Sequence, residues 1–293
     1  MAWSLSRPGK ARPAAAVLDA AALTPSIHQE LSQRLDRLEA QAALSEAHFT
    51  DGFWKALDAA YEASLPFRRL SCLVCGHAAN RNGFRILEDR CFFGGGNLQR
   101  YECPKCDCIF GPQKYLDLDE NFVSRDYKIL YSRYSEGDST DNEISTFHAL
   151  KPIVDGLYLD WGCGGAWSRA VSSLRDQGWN VVGYEPSANA PGEFVINDRK
   201  NLAPKFDGIF SNNVIEHFRN PILQFNEFNK LLNSGGKMAH SSPCYEYCYS
   251  YTRFHSVFLL GKSPHVLAER TGFKVVDEVR EGEYINYVFA KIN

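Results

Sequence analysis

Apolar positions along the chain change their rhythm twice. Between Pro25 and about Ala63, Leu31, Leu35, Leu38 and Ala42 recur at spacings of four, three and four, which is the stripe of one helix face. Ser45 then weakens the seam. Such a stripe packs a helix on its own domain, or forms a short oligomerising coiled coil. Residues 1–24 show no comparable pattern and read as a loosely attached tail. From 70 to 112 the aliphatic rhythm stops. This segment is rich in Cys, Gly and aromatics, and its few aliphatics cannot build an independent core, so it needs a staple. Residues 113–155 read as a connector that carries Tyr115, Tyr127, Tyr131 and Tyr134 among acids. From Leu157 onward, short apolar runs alternate with helical patterns, as in an α/β sheet. The runs predict strands near 157–161, 180–185, 193–197, 207–211, 236–241, 274–280 and 284–291, and helices near 166–177, 220–233 and 262–271. No internal repeat is visible.

Composition adds bounds. The 293 residues leave room for one large domain and a smaller one. A hydrophobic fraction of 44% with 23% charged residues fits an ordinary globular core. The net charge of −3 argues against a dedicated nucleic-acid binder, and no nucleic-acid partner is expected. No apolar stretch approaches the roughly 20 residues that cross a bilayer. The opening "MAWSLSRPGKARPAAAVLDAAAL" lacks a compact apolar region and reads as a tail rather than a signal peptide. Four of the nine cysteines sit in C-x-x-C pairs, which points to metal before disulfides and to a reducing cytoplasm.

Cys72 and Cys75 form one C-x-x-C, followed by Gly76, and Cys103 and Cys106 form a second after 27 residues. Two such knuckles can present four thiolates tetrahedrally, which suits Zn²⁺ in a structural role, with no open position for catalysis. Glycine after a knuckle lets the chain turn under the sulfurs. Cys91 and Cys108 are candidates to replace a ligand, or buried thiols. Arg81, Arg85, Arg90 and Arg100 give slight support to a nucleic-acid surface on this ribbon, offset by Glu88, Asp89, Glu102 and Asp107.

At 157–166 a predicted strand delivers Asp160 and breaks into Gly162, Gly164 and Gly165. Glycines there let the backbone approach a ligand and pack the next helix closely. Nucleotides, dinucleotides and sulfonium cofactors all use such a turn. The second strand ends in Glu185, 25 residues after Asp160, where an acid can take both ribose hydroxyls. The strand in "FDGIFSNNVIEHFRNP" ends in Asn212 and Asn213, with Glu216 and His217 before a helix that starts at Pro221.

With these motifs in place, residues 157–291 resemble a class I S-adenosylmethionine-dependent methyltransferase. "LDWGCGGAW" resembles the family's first motif, "GYEP" its ribose-binding acid, "FDGIFSNNVIEHFRNP" its strand-four motif, "NSGGKMAHSSP" its strand-five region, and "HSVFLLGKSPHVLAERTGF" a late segment of small-molecule and sugar methyltransferases. The resemblance implies an α/β fold: a Rossmann-like seven-stranded sheet behind an N-terminal helix and a small zinc ribbon. It covers about half the chain. A ribbon placed ahead of such a domain is similar to a subgroup that includes sugar C- and O-methyltransferases. Two departures stand out. Ala166 replaces a usual third glycine, and only about 20 residues separate Glu185 from Phe206, so the helix between those strands is expected to be reduced or missing. Asp198 is the candidate for adenine contact in that short stretch.

The implied cofactor is S-adenosyl-L-methionine, held by Asp160, Gly162, Gly164, Glu185, Asn212 and Tyr134. His217 and His255 are the candidate catalytic bases, and each could instead serve a structural role. Glu216 reads as a structural acid favoured by a helix N-terminus. Tyr245, Tyr247, Tyr249 and Tyr251 are expected to line an acceptor pocket, with Tyr131 and Tyr134 as a lid, and Cys244 and Cys248 as buried thiols. The expected organisation is a tail and helix (1–66), a zinc ribbon with Cys72, Cys75, Cys103 and Cys106 as ligands (67–112), a connector or lid (113–155) and the methyltransferase domain (156–293). The acceptor is expected to be a sugar, in a nucleotide sugar or glycan, methylated on oxygen or carbon. The alternatives are a non-sugar metabolite or natural product, and a non-catalytic module whose ribbon binds a partner. The N-terminal helix is a candidate oligomerisation surface.

Overall fold

A computed structural model describes residues 25–131, 134, 137–202, 205–245 and 252–292. The chain divides into two compact units, Met1–Thr50 and Asp51–Asn293. A helix α1 (Pro25–Ser64) begins in the first unit and ends in the second. In the first unit Ile27, Leu31, Leu35 and Leu38 are all exposed.

In the second unit the cysteine-rich segment folds as short strands: β1 (Leu70–Ser71), β2 (Ala78–Ala79), β3 (Arg85–Arg90), β4 (Asn97–Glu102) and β5 (Ile109–Phe110). The expected connector is helical. It contains α2 (Gln113–Leu116), α3 (Glu120–Tyr131) and α4 (Thr140–Ala149). Then come β6 (Leu157–Trp161), α5 (Arg169–Asp176), β7 (Asn180–Tyr184), β8 (Val195–Ile196), β9 (Phe206–Asn212), α6 (Pro221–Leu231), β10 (Leu232–Pro243), β11 (Val257–Phe258), α7 (Ser263–Arg270), β12 (Phe273–Glu281) and β13 (Tyr284–Lys291).

The seven strands expected from Leu157 onward form one sheet, in the order β12-β13-β10-β9-β6-β7-β8. Pairings among β10, β9, β6, β7 and β8 are parallel, while β13 runs antiparallel to both of its neighbours. Strands β6 and β9 are buried at almost every position, as expected for parallel strands covered on both faces. The chain builds outward from β6 to β8 and then returns to place β9 on the other side of β6. The reversal opens a crevice at the carboxyl ends of β6 and β9, the usual ligand position in such sheets.

Local signals set the element ends. Ser168 caps α5 by accepting from the Val171 N–H at 3.2 Å, which is why the helix starts three residues later than its apolar pattern suggests. Asn220 caps α6 in the same way, with Pro221 in the first turn. Between β7 and β9 the described residues contain β8 and a short 3-10 turn at Arg199–Asn201 but no α-helix, in keeping with the short spacing.

One core residue carries a charge penalty. His240 is fully buried on β10, stacked on Phe228 and packed against Phe225 and Phe289, with Nδ1 2.8 Å from the Ser211 hydroxyl. Burial pushes its pKa down to about 3. The unfolded chain, with a histidine near 6.5, therefore binds more protons than the native state between these values. Stability from the neutral ring is complete above about pH 6.5 and is lost as pH falls toward 3, by up to roughly 5 kcal/mol. Urea unfolding followed from pH 7 to pH 4 should show this slope, and His240→Leu should flatten it. An unchanged slope in the variant would refute the assignment to His240.

Candidate active site

The glycine turn lies at the crevice. Gly162 and Gly164 adopt φ of 84° and 83°, a left-handed conformation costly for other residues. A Cβ on Gly162 would sit 2.7 Å from Val214, whereas one on Gly164 would meet nothing within 4 Å. Gly162 thus allows close packing on the segment after β9, and Gly164 leaves open space over the turn. Glu185, just past β7, faces the turn and accepts from the Gly164 N–H at 3.1 Å and from the Ser187 N–H at 2.9 Å.

Around this turn a cleft of 1510 Å³ is lined by Gly162, Gly164, Glu185, Asn212 and His217, with Tyr127 and Tyr134 opposite. It exceeds the roughly 300–1,000 Å³ of a single-ligand pocket, so it can take a cofactor and an acceptor together. Its lining includes the acids Glu143 and Glu185, and Asp160 is buried nearby at the end of β6. Asp160 is 1% exposed, and burial first, then repulsion from Glu143 and Glu185, lifts its carboxyl well above the usual range. Among the described residues, Asp160 Oδ2 and both amide atoms of Asn212 are buried without hydrogen-bond partners. Orphaned polar atoms and clustered carboxylates fit a polar, positively charged ligand such as a sulfonium with its ammonium group.

At the far end of the cleft two imidazoles meet. His217 closes a 3-10 turn, Ile215–His217, directly after β9. Its ring lies 4.8 Å from that of His255 and edge-on to Tyr127. His255 Nε2 is 3.9 Å from Glu216 Oε1, and both residues are buried. The Ser256 N–H donates to the Glu216 carbonyl at 2.6 Å, joining the two segments. Glu216 lies in the first turn of that 3-10 helix as well as beside His255. Asn220 caps α6, and Glu216 instead turns inward to the histidines. Burial pushes the His217 pKa down to about 4, so the ring is neutral at neutral pH.

The loop bearing His255 is held by two arginines. Arg100 is fully buried and donates to the Thr252 carbonyl at 2.6 Å and the His255 carbonyl at 3.1 Å. It is thus an internal brace and no part of a basic nucleic-acid surface. Arg253 forms a bidentate pair with Asp126 at 2.7 and 2.8 Å, donates to the Gly94 carbonyl at 2.9 Å, and packs on Trp54. Asp126 lies on α3, so one side chain ties together the cleft wall, the ribbon and the histidine loop.

The four paired cysteines converge. Cys72 and Cys106 sulfurs are 3.6 Å apart, Cys75 and Cys103 sulfurs are 3.5 Å apart, and all four lie within 4.8 Å of one another. Tetrahedral thiolates around Zn²⁺ at about 2.3 Å need sulfur separations of about 3.8 Å. Both knuckles use one backbone pattern: Cys72 N–H to the His77 carbonyl and Gly76 N–H to the Cys72 carbonyl, repeated as Cys103 to Cys108 and Asp107 to Cys103. Asp107 adopts φ of 63° where the first knuckle has glycine. Cys91 lies apart, against Arg253, and Cys108 is buried beside the cluster.

Gly162, Gly164, Glu185, Asn212, Tyr134 and His217 line the cleft, whereas Asp160 is buried at the end of β6 outside its lining, and His255 lies against His217. Tyr134 meets Phe93 edge-on at 5.0 Å. Asp198 caps the 3-10 turn that follows it, and its neighbour Arg199 lines the cleft. Tyr245 turns away to donate to Asp89 at 3.1 Å. Tyr247, Tyr249, Tyr251, Cys248 and the side chain of Tyr131 lie outside the described residues. Glu143, Arg100 and the Arg253–Asp126 pair had no sequence motif to mark them.

Residues 143–278, a little under half of the chain, match the family model described as a methyltransferase domain. No curated protein sequence matches the chain. Similar solved structures include the 1,6-didemethyltoxoflavin-N1-methyltransferase of Burkholderia thailandensis, with bound 1,6-didemethyltoxoflavin and S-adenosylhomocysteine. It is 18% identical, with a TM-score of 0.45, over 67% of this chain and 96% of that one. An S-adenosylmethionine-dependent methyltransferase from Mesorhizobium loti is 15% identical, with a TM-score of 0.41, over 52% and 100%. The CcbJ methyltransferase from Streptomyces caelestis is 12% identical, with a TM-score of 0.40, over 56% and 95%. The family match and the strand order agree: residues 143–278 form a methyltransferase domain. Among the described residues no helix is long and apolar enough to cross a membrane.

Proposed function

We propose that this enzyme transfers a methyl group to a hydroxyl or carbon of a sugar, carried as a nucleotide sugar or glycan. The supporting observation is one continuous cleft, acidic and partner-poor near Asp160, Glu185 and Asn212, that runs to the imidazole of His217. S-adenosylmethionine supplies a methyl group on a cationic sulfonium. Glu185 would accept from the ribose hydroxyls, since each carboxylate oxygen keeps lone pairs beyond the backbone N–H it already binds. Asp160 and Glu143 favour the positive charge, and Asn212 offers a donor and an acceptor. Tyr134 closes over this end of the cleft.

On the acceptor side, Tyr127 lines the cleft beside His217 and offers an aromatic ring for a sugar to pack on. An acceptor hydroxyl would form its bond to the methyl carbon as the methyl–sulfur bond breaks and S-adenosylhomocysteine leaves, giving its proton to a ring nitrogen of His217 or His255. The neutral state of His217 leaves a nitrogen lone pair for that transfer. Cys72, Cys75, Cys103 and Cys106 would hold a structural Zn²⁺. Their thiol state suits a reducing cytoplasm.

The test is calorimetry with S-adenosylhomocysteine, followed by a screen with methyl-labelled cofactor. Acceptors would include nucleotide sugars, cell-envelope glycans and non-sugar heterocycles. Label is expected in a sugar. Label confined to a non-sugar would replace the acceptor assignment, and absence of binding at millimolar ligand would overturn the cofactor assignment.

A further inference from the structure

The acceptor end of the cleft holds a second group of metal-ligating side chains, separate from the four thiols. Glu216, His217 and His255 each offer one ligand atom, and these atoms lie within 4.8 Å of one another. Their chemistry differs from that of the thiol cluster. One carboxylate and two imidazoles form the donor set of borderline divalent first-row cations, with coordination positions left open.

The state of His217 supports a ligand role. Its Nδ1 is buried with no partner among the described residues. A neutral imidazole carries a lone pair on one ring nitrogen, which a cation can take up. The second ligand is fixed from behind, because the buried Arg100 guanidinium grips the His255 carbonyl. Glu216 is 1% exposed, 3.9 Å from His255 Nε2, and its own carbonyl receives the Ser256 N–H. An ion bonded at about 2.1 Å to each ligand needs separations of roughly 3.0–3.4 Å, so the histidine–carboxylate gap must close by less than about 1 Å. Entry is open, because His217 lines the cleft.

We propose that Glu216, His217 and His255 bind a divalent first-row cation, whose open positions take oxygen atoms of the acceptor. The consequence for the acceptor rests on the methyltransferase reading above, whereas the binding site itself does not. In this arrangement the two histidines hold the ion, which lowers the pKa of the acceptor hydroxyl so that its proton passes to water in the open cleft, and direct transfer to His217 or His255 applies to the metal-free site.

The test uses the full chain with the thiol site filled by zinc, and Mn²⁺ as probe, because thiolates compete poorly for it. Electron paramagnetic resonance should show one Mn²⁺ bound per chain, with nitrogen couplings from the imidazoles in the pulsed spectrum. Glu216→Gln, His217→Ala and His255→Ala should each weaken binding at least tenfold, and either histidine change should reduce the nitrogen couplings. Glu216→Gln keeps the side-chain shape, so it remains informative if a histidine variant fails to fold. No bound Mn²⁺ in the parent protein, or binding unchanged in all three variants, overturns the proposal. Binding of S-adenosylhomocysteine, measured separately, tells the two failures apart. Cofactor binding without Mn²⁺ removes the metal site alone, and Mn²⁺ binding without cofactor removes the cofactor assignment alone.

Discussion

Replacing Glu185 with alanine should weaken S-adenosylhomocysteine binding by about 10²–10⁴-fold. Two ribose hydroxyls donating to one carboxylate make two charge-assisted hydrogen bonds, each worth roughly 1.5–3 kcal/mol. Together they convert to that range of affinity. The loss should also be structural at short range, because the same carboxylate accepts from the Gly164 and Ser187 N–H groups and so fixes the turn. Glu185→Gln should fall between the parent and the alanine variant, since it keeps one acceptor but sets an NH₂ toward backbone donors. Calorimetry on both variants, with thermal melting as the fold control, measures the effect. An affinity within threefold of the parent in Glu185→Ala would remove Glu185 from the cofactor site.

The second large effect is expected at the thiol cluster. Cys106 is fully buried, and its sulfur is 3.6 Å from that of Cys72. Structural zinc sites in small folds are worth roughly 10–16 kcal/mol in apparent binding energy, comparable to the whole stability of a domain, about 5–15 kcal/mol. Cys106→Ser should therefore unfold the ribbon rather than loosen it. The damage should reach the active site, because β5, just after the second knuckle, pairs with β11, just after His255, in the sheet β11-β5-β4-β3. Arg100 on β4 also holds the His255 carbonyl. The expected results are loss of the thiolate-to-metal charge-transfer band in cobalt-substituted protein, a melting temperature lower by about 10 °C or more, and faster hydrogen exchange in residues 97–110 and 255–258. A retained band, or a lost band with unchanged melting and exchange, would refute the staple.

Much of the fold was legible because its signals are local. β6, at Leu157–Trp161, and β13, at Tyr284–Lys291, fall where the apolar runs placed them. Buried parallel strands read as short apolar blocks, and turns between them carry Gly, Asn and Ser. The helices of residues 113–149 were missed as helices. Their aromatic residues are spread over three short elements, too brief for periodicity to accumulate, and α4 finds its partners on the distant strands β9 and β10. Glu216 has a local explanation, its place in the first turn of a 3-10 helix, but its neighbour in space, His255, is not marked by it.

The sequence by itself determined the glycine turn, the acid after the second strand, the paired thiols and the alternation that builds the sheet. Each depends on residues a few positions apart, whose geometry the backbone sets directly. Only the tertiary structure decided which groups share a site. Arg100 meets the His255 carbonyl across 155 residues of chain, and Tyr127 meets His217 only because α3 folds over the crevice. It also turned an arginine that resembled surface charge into a buried brace, and two unconnected histidines and a glutamate into one cluster. Such contacts are set by packing between distant segments, which leaves no periodic trace along the chain.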